Sequence, residues 1–270
     1  MVIEKCNRCV GNPSCENQVV SECLPVSAFG DVASQKLQVV TIGLNPAFNE
    51  YYNFDGTVKE QSQRLAMTSD YGAARNDLRD ADIKNATERR EGYFTNVDRW
   101  WHSYFEKLEG VICRVNPDWS YATGSAAHID LVACATRRAW GDLSQGCQTE
   151  LLKNCRDHFL ATLSRVPNGT VLLFNGTTVT EEIYNSGLSV EQEGGGQLIN
   201  IRTDRGRIGK LKFGEKTFPF RSWSTPVGKL SSVWRYDLAF WLFGTLYPTA
   251  KWFGRGKKLG GDGTQPTIIQ

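Results

Sequence analysis

No run of about 18 or more apolar residues, the length a helix needs to cross a bilayer, occurs in the sequence. Its first residues, MVIEKCNRC, lack the apolar stretch of a secretory signal. The expectation is a soluble, intracellular protein placed in the cytoplasm, with no membrane partner and no obligate protein partner. No segment repeats at a period of about 20 to 50 residues, so a solenoid or propeller is not expected. Neither GxGxxG nor GxxxxGK[ST] is present, which disfavours an enzyme of free nucleotides built on those phosphate loops. Net charge is also slight: 31 basic against 29 acidic residues leave +2, which points to no partner by itself.

What is present suits one substantial core, because 270 residues carry 40% apolar and 11% aromatic content. Strand-length apolar runs stand at LQVVTIG (37–43), AHIDLVAC (127–134) and TVLLFNG (170–176), each beside a loop signal. Helical spacing fits Val97 to Leu108, Thr149 to Leu163, Thr178 to Ser186 and Ser231 to Phe243. Strands alternating with helices imply an α/β fold with a mostly parallel sheet covered on both faces, and such sheets bind ligands at the carboxyl ends of their strands. That rule gathers Gly43 to Pro46, the segment after Leu131, and Asn175-Gly176.

The chain divides into three parts, and two segments of the second depart from this pattern. Residues 1–30 are cysteine-rich, 31–247 form the main domain, and 248–270 are a basic, glycine-rich tail. Within the domain, 55–96 is polar on nearly every face and reads as an insertion with one or two exposed helices. Residues 197–223 read as antiparallel strands with Gly206, Gly209 and Gly214 at turns. From Arg202 to Lys229 there are eight cations (Arg202, Arg205, Arg207, Lys210, Lys212, Lys216, Arg221, Lys229) against Asp204 and Glu215. Interleaved with Phe218, Phe220 and Trp223, they suit a phosphate-lined surface as well as a solvated hairpin.

Four of the eight cysteines, Cys6, Cys9, Cys15 and Cys23, lie within 18 residues and begin with CxxC. Such thiolates suit a tetrahedral structural zinc, which would order a segment too short to fold unaided. Cys113, Cys134, Cys147 and Cys155 are scattered and read as small apolar packers. His102 and His158 fall on helices and read as structural, whereas His128 shares a strand face with Asp130.

The stretch VVTIGLNPAFNEYYN (39–53) ends a strand in Gly-x-Asn-Pro. Asn45 presents an amide there, and Pro46 fixes the turn that aims it. Phe48, Tyr51, Tyr52 and Phe54 follow closely, and flat rings beside a fixed amide can make a slot for a planar heterocycle. Far downstream, SWSTPVGKLSSV (222–233) runs from a strand end through Ser-Thr-Pro into an amphipathic helix.

These two segments, with VLLFNGTTVTEEI between them, resemble the paired signatures of the uracil-DNA glycosylase superfamily over about residues 37 to 245. The resemblance implies a three-layer α/β/α fold and a partner, DNA. It implies that Asn45 holds the attacking water and that the turn at Ser224, Thr225, Pro226, Val227, Gly228 and Lys229, with Arg221, contacts DNA. Some branches carry an iron–sulfur cluster on four cysteines spread more widely along the chain than Cys6 to Cys23, so zinc is expected first and a 4Fe-4S cluster second.

The departures from the family pattern carry meaning. No histidine precedes Thr225-Pro226. Ala47 stands where the uracil-specific branch has a tyrosine that blocks C5-substituted pyrimidines, which implies a roomier pocket. Asp130 falls where several branches read the extruded base with asparagine; an ionised carboxylate only accepts, so it favours an amine-bearing base over uracil. His128 can reach the same pocket. The expected function is a glycosylase for a modified base, a C5-modified cytosine as in phage DNA, and a monofunctional one, since neither Gly43-Leu44-Asn45-Pro46 nor Ser224-Thr225-Pro226-Val227 holds a lysine. The alternatives are a uracil or mismatch glycosylase of base-excision repair, and a nucleic-acid-binding module that keeps the fold without catalysis.

Overall fold

The computed structural model describes residues 2–96, 103–197 and 205–250. Seven strands form one mixed sheet: β1 Ala28–Phe29, β2 Val39–Gly43, β3 Ala126–Asp130, β4 Val171–Asn175, β5 Ser189–Gln197, β6 Arg205–Phe213 and β7 Lys216–Trp223. Their order is β1-β3-β2-β4-β7-β6-β5, and the central four, β3, β2, β4 and β7, run parallel. β1 closes one edge antiparallel to β3, while β6 and β5 extend the other edge antiparallel. The helices are α1 Asp80–Glu91, α2 Ser103–Val115, α3 Gln145–Arg165, α4 Thr177–Asn185 and α5 Ser232–Leu246.

The period of two along each central strand divides the core into two layers. Val40, Ile42, Leu172, Phe174, Phe218 and Phe220 face Phe159 and Leu163 of α3 and Val179 and Ile183 of α4. Val39, Leu173 and Trp223 face Phe105, Leu108 and Ile112 of α2 and Leu238 and Leu242 of α5. This is an α/β sheet with helices on both sides, as expected. Polar residues at the strand ends, Thr41, His128, Asp130 and Asn175, occupy the alternate positions that fall on the α2/α5 side.

Several sequence expectations are refined. β3 stops at Asp130, because 131–136 turns to follow the loop after β2: Leu131 N donates to Gly43 O and Val132 N to Leu44 O (3.1 and 2.8 Å), and Thr136 bridges Ala47. Of the expected helix 97–108, residues 97–102 lie outside the described residues; α2 continues to Val115. Gly206 and Gly209 are inside β6 rather than at turns, and only Gly214 takes a left-handed φ, +59°. A Cβ at Gly209 would collide with Glu191 O, so that glycine serves close packing of strands.

The cysteine-rich residues 1–30 are not a separate appendage: β1 joins the sheet, and Val20 N and Val26 N donate to Ala135 O and Ala133 O. The insertion 55–96 packs on this segment rather than standing out in solvent. It holds one α-helix and short 3-10 turns, and Leu24 packs with Ala66, Leu78 and Ala86. Arg75, buried, donates to the carbonyls of Cys6 (2.8 Å), Val20 and Cys23, satisfying loop carbonyls that no strand pairs. Glu4 pairs with Arg90, and Asp70 with Arg64 and Arg89, so much of the insertion's charge is consumed internally.

Candidate active site and metal centre

Because β2, β3, β4 and β7 are parallel, their carboxyl ends lie along one edge of the sheet. The register sets Thr41 beside His128 and Gly43 beside Asp130. Gly43 leaves room for both side chains: a Cβ there would meet Asp130 Oδ1 and His128 Nε2 at 2.7 Å each. The sequence requires glycine at this position for that reason, as well as for the turn.

A buried chain of hydrogen bonds runs along this edge. Tyr121 OH lies 2.5 Å from Thr41 Oγ1, Thr41 Oγ1 lies 2.7 Å from His128 Nδ1, and His128 Nε2 lies 3.1 Å from Asp130 Oδ1. Burial raises the pKa of Asp130, and His128 offsets this in part. Tyr104, at the start of α2, sets its ring 5.8 Å from that of His128, and its hydroxyl pKa is raised by burial and by the Asp130 charge.

Tyr104 also joins this edge to the turn after β7. Its hydroxyl accepts from Asn175 Nδ2 at 2.5 Å, and Asn175 Oδ1 accepts from Trp223 Nε1 at 3.1 Å and from Val227 N at 2.8 Å. Gly176 N and Thr177 N donate to Trp223 O and Ser224 O at 3.0 and 2.9 Å, which seats Ser224-Thr225-Pro226 on the start of α4. The Ser-Thr-Pro turn and the His128/Asp130 pair are thus linked through two side chains.

Asn45 is half-buried, and its amide is oriented. Nδ2 donates to Pro46 O at 2.9 Å and to Thr136 Oγ1 at 3.0 Å, while Thr136 Oγ1 donates onward to Arg138 O at 2.8 Å. Oδ1 is left as an acceptor with no partner among the described residues. Ala47 is exposed.

The aromatic slot expected after Asn45 does not form from all four rings. Tyr51 is fully buried, with its hydroxyl donating to Leu24 O at 3.1 Å, so it belongs to the core. Phe48 stacks on Tyr52 at 4.2 Å, and Tyr52 donates to Glu22 at 2.7 Å; the two rings cover each other. Phe54, 99% exposed, caps a surface turn. The 3-10 turn at Phe48–Glu50 points successive rings in different directions, which spacing alone did not convey.

The basic surface is also smaller than the charge count suggests. Antiparallel pairing brings Glu193 and Glu191 of β5 to Lys210 and Lys212, the latter pair at 3.2 Å. Lys216 donates to Val166 O at 2.7 Å, and Arg221 is buried, clamping β7 to α5 through Thr245. Burial lowers the Arg221 pKa. Arg202 and Asp204, with the basic tail from Lys251 to Lys258, lie outside the described residues. In the turn itself Val227 and Leu230 are buried, so the exposed tip is Gly228 and Lys229, followed by Val233 and Trp234 of α5, 66% and 42% exposed.

The cysteines rearrange most. Cys9 meets Cys134 and Cys155, with the three sulfurs within 4.8 Å of one another and all buried. Cys6, Cys15 and Cys23 are not part of that group: Cys6 and Cys23 are tied by their carbonyls to Arg75, and Cys15 faces Cys147 with sulfurs 2.7 Å apart. Burial pushes the Cys15 thiol up to about 12. The Cys134 thiol is drawn down, first by S–H donation from Cys155, then from Cys9, with Arg75 as nearby positive charge, while burial lowers the pKa of the neighbouring His158. His158 is buried, and its Nε2 has no hydrogen-bond partner among the described residues. Cys113 stands apart, its thiol donating to Trp119 O at 3.1 Å. The chain after β3 folds back over the N-terminal segment, which is why a compact sequence cluster is opened and a dispersed one assembled.

The sequence reading missed Thr136, Thr41, Tyr121 and Tyr104. Thr41 alternates with buried apolar residues in β2, the one signal that a polar side chain is needed there. Comparison with known proteins finds no match among protein-family models, curated proteins or solved structures. Among the described residues no helix is long and apolar enough to cross a membrane.

Proposed function

We propose that this chain is a monofunctional DNA glycosylase that hydrolyses the N-glycosidic bond of a modified base, a cytosine enlarged at C5, and leaves an abasic site. The observation that carries the reading is the meeting, at one sheet edge, of an oriented Asn45 amide, the His128/Asp130 pair and the Ser-Thr-Pro turn held by Asn175. This is the edge where the sequence resemblance requires water, base and DNA contact to coincide.

In this reading the target nucleotide leaves the stack, at a cost of about a few kcal/mol, which Trp234 and Val233 at the exposed tip would offset by filling the gap. Asn45 Oδ1 accepts a hydrogen bond from water and aims its oxygen at C1′, because Thr136 holds the Nδ2 end of the amide and leaves Oδ1 for the water. The C1′–N1 bond breaks through a cationic sugar, and its electron pair goes to the base. Asp130 meets the exocyclic amine, and the exposed Ala47 leaves room for a C5 substituent.

Cys9, Cys134 and Cys155 would hold a metal centre distant in role from the chemistry. Three thiolates fit a tetrahedral metal, whose sulfurs stand about 3.8 Å apart for metal–sulfur bonds of about 2.3 Å. Arg75, a buried cation, and His158 beside Cys134 suit an anionic centre. Three sulfurs within 4.8 Å of one another favour a single tetrahedral ion such as zinc over a 4Fe-4S cluster, whose thiolates sit on separate irons and stand farther apart, and Cys15 and Cys147 of the same buried cluster are candidates for a fourth ligand. Such a group would supply rigidity to the N-terminal segment.

The test is incubation of the protein with genomic DNAs that differ in base modification, followed by assay for alkali-labile sites. Sites in DNA rich in C5-modified cytosine, and few in unmodified DNA, are the expected result. A preference for uracil-containing DNA over every amine-bearing base contradicts the reading of Asp130.

A further inference from the structure

Asp130 does more than accept a hydrogen bond in this arrangement. Thr41 has one hydroxyl proton and two neighbours, Tyr121 OH and His128 Nδ1. Every donor is used once if Tyr121 donates to Thr41, Thr41 donates to Nδ1, and Nε2–H donates to Asp130 Oδ1. Nδ1 then acts as an acceptor and Nε2 as the donor to Asp130. Asp130 is buried, 3% exposed, and its Oδ2 has no hydrogen-bond partner among the described residues. A carboxyl held this way, one oxygen fixed and the other unpaired, can carry a proton on Oδ2.

We propose, on the basis of the glycosylase reading above, that Asp130 is the general acid of base release, with His128 and Thr41 as positioning residues. A carboxylic acid complements the edge of a cytosine-type base: Oδ1 accepts from the N4 amine while the Oδ2 hydroxyl donates to N3. As the C1′–N1 bond breaks, its electron pair goes to N1 and the proton passes from Oδ2 to N3, so the base departs neutral. Water oxygen bonds to C1′ and loses a proton to solvent, and the carboxylate regains one from solvent. The sum is glycoside plus water giving free base and abasic sugar.

The environment favours the protonated form. Burial raises the Asp130 pKa and His128 of its own strand offsets part of the shift, while the nearby titratable groups from other segments are Tyr104 of α2 and Tyr121, bonded to Thr41. Uracil, whose anion departs readily, needs no such proton. Cytosine does.

The experiment compares wild-type protein with Asp130→Asn and Thr41→Val on two duplexes, one with a single 5-hydroxymethylcytosine and one with a single 5-fluorouracil, across pH 5 to 9. Asparagine keeps the Nε2–H acceptor but cannot release an acidic proton. Asp130→Asn is expected to lose about 100-fold or more on hydroxymethylcytosine and far less on fluorouracil, and to lose the alkaline fall in rate. Thr41→Val, which releases the His128 ring, is expected to lower the rate on hydroxymethylcytosine more than on fluorouracil and to displace that alkaline limb. Equal losses on both bases, or full activity of Asp130→Asn on hydroxymethylcytosine, overturns the acid role while leaving the glycosylase intact. Wild-type protein that leaves every modified-cytosine duplex without alkali-labile sites overturns the glycosylase reading itself.

Discussion

Asn45 and Thr136, 91 positions apart in sequence, meet at 3.0 Å, and the threonine's own proton is committed to Arg138 O. The amide is therefore oriented by a side chain that can only accept from it. Thr136→Val should let the amide rotate and lower base release by about 10- to 100-fold, with little change in DNA affinity. Single-turnover kinetics beside a filter-binding titration would show whether rate and affinity separate in this way.

Gly43 has no room for a methyl group. A Cβ at this position would stand only 2.7 Å from both Asp130 Oδ1 and His128 Nε2, so Gly43→Ala must displace that pair. A loss of stability of about 1 to 3 kcal/mol is expected, together with loss of activity. Urea unfolding measures the first; unchanged stability would mean that the strand ends are looser than these contacts require.

Asp130 links site chemistry to stability. Its folded pKa is raised by burial, so its favourable contribution is present below the unfolded value and is lost as pH rises through the folded one. Asp130→Asn removes that loss. The variant should gain in melting temperature relative to wild type as pH moves from about 4 towards neutrality; a constant difference across that range would contradict a buried, protonatable carboxyl.

Trp234 is exposed at the first turn of α5, which follows Lys229 closely in the chain. If it fills the gap left by an extruded nucleotide, Trp234→Ala should weaken excision from duplex by about 10-fold or more and affect single-stranded substrate much less, because only the duplex requires unstacking. Stability should change little, since the ring is substantially solvated. Parallel rates on the two strand forms decide this.

The cysteine centre makes a separate claim. Cys134→Ser or Cys155→Ser should lower the metal content of purified protein and its melting temperature, whereas Cys113→Ser should do neither. Iron with acid-labile sulfide identifies the cluster, and zinc alone identifies the simpler site. A full metal complement in Cys134→Ser would remove that residue from the ligand set.

Much of the fold was legible because β2, β3 and β4 are continuous apolar runs ending at turn signals, and that pattern has few solutions besides a covered parallel sheet. His128 and Asp130 could be paired by strand alternation alone. The rest depended on distant segments. Nothing local in Cys134 or Cys155 distinguishes a ligand from a packer, and their meeting with Cys9 follows from how the loop after β3 returns over the N-terminal segment. The basic strands looked unopposed because their neutralising partners, Glu191 and Glu193, precede the counted segment and reach it only through antiparallel register. The aromatic run after Pro46 failed as a slot for a related reason: spacing gives the number of rings, and the 3-10 turn decides where each one points.

Base release depends, in this mechanism, on the Asn45 amide acting on water in the same cleft that receives the base. Asn45→Ala assayed on duplex DNA containing C5-modified cytosine tests this most directly, with free base and abasic sites counted beside binding. Near-complete loss of base release is predicted, with DNA affinity within a few-fold of wild type. Undiminished release by that variant would contradict the role of the amide and the mechanism built on it.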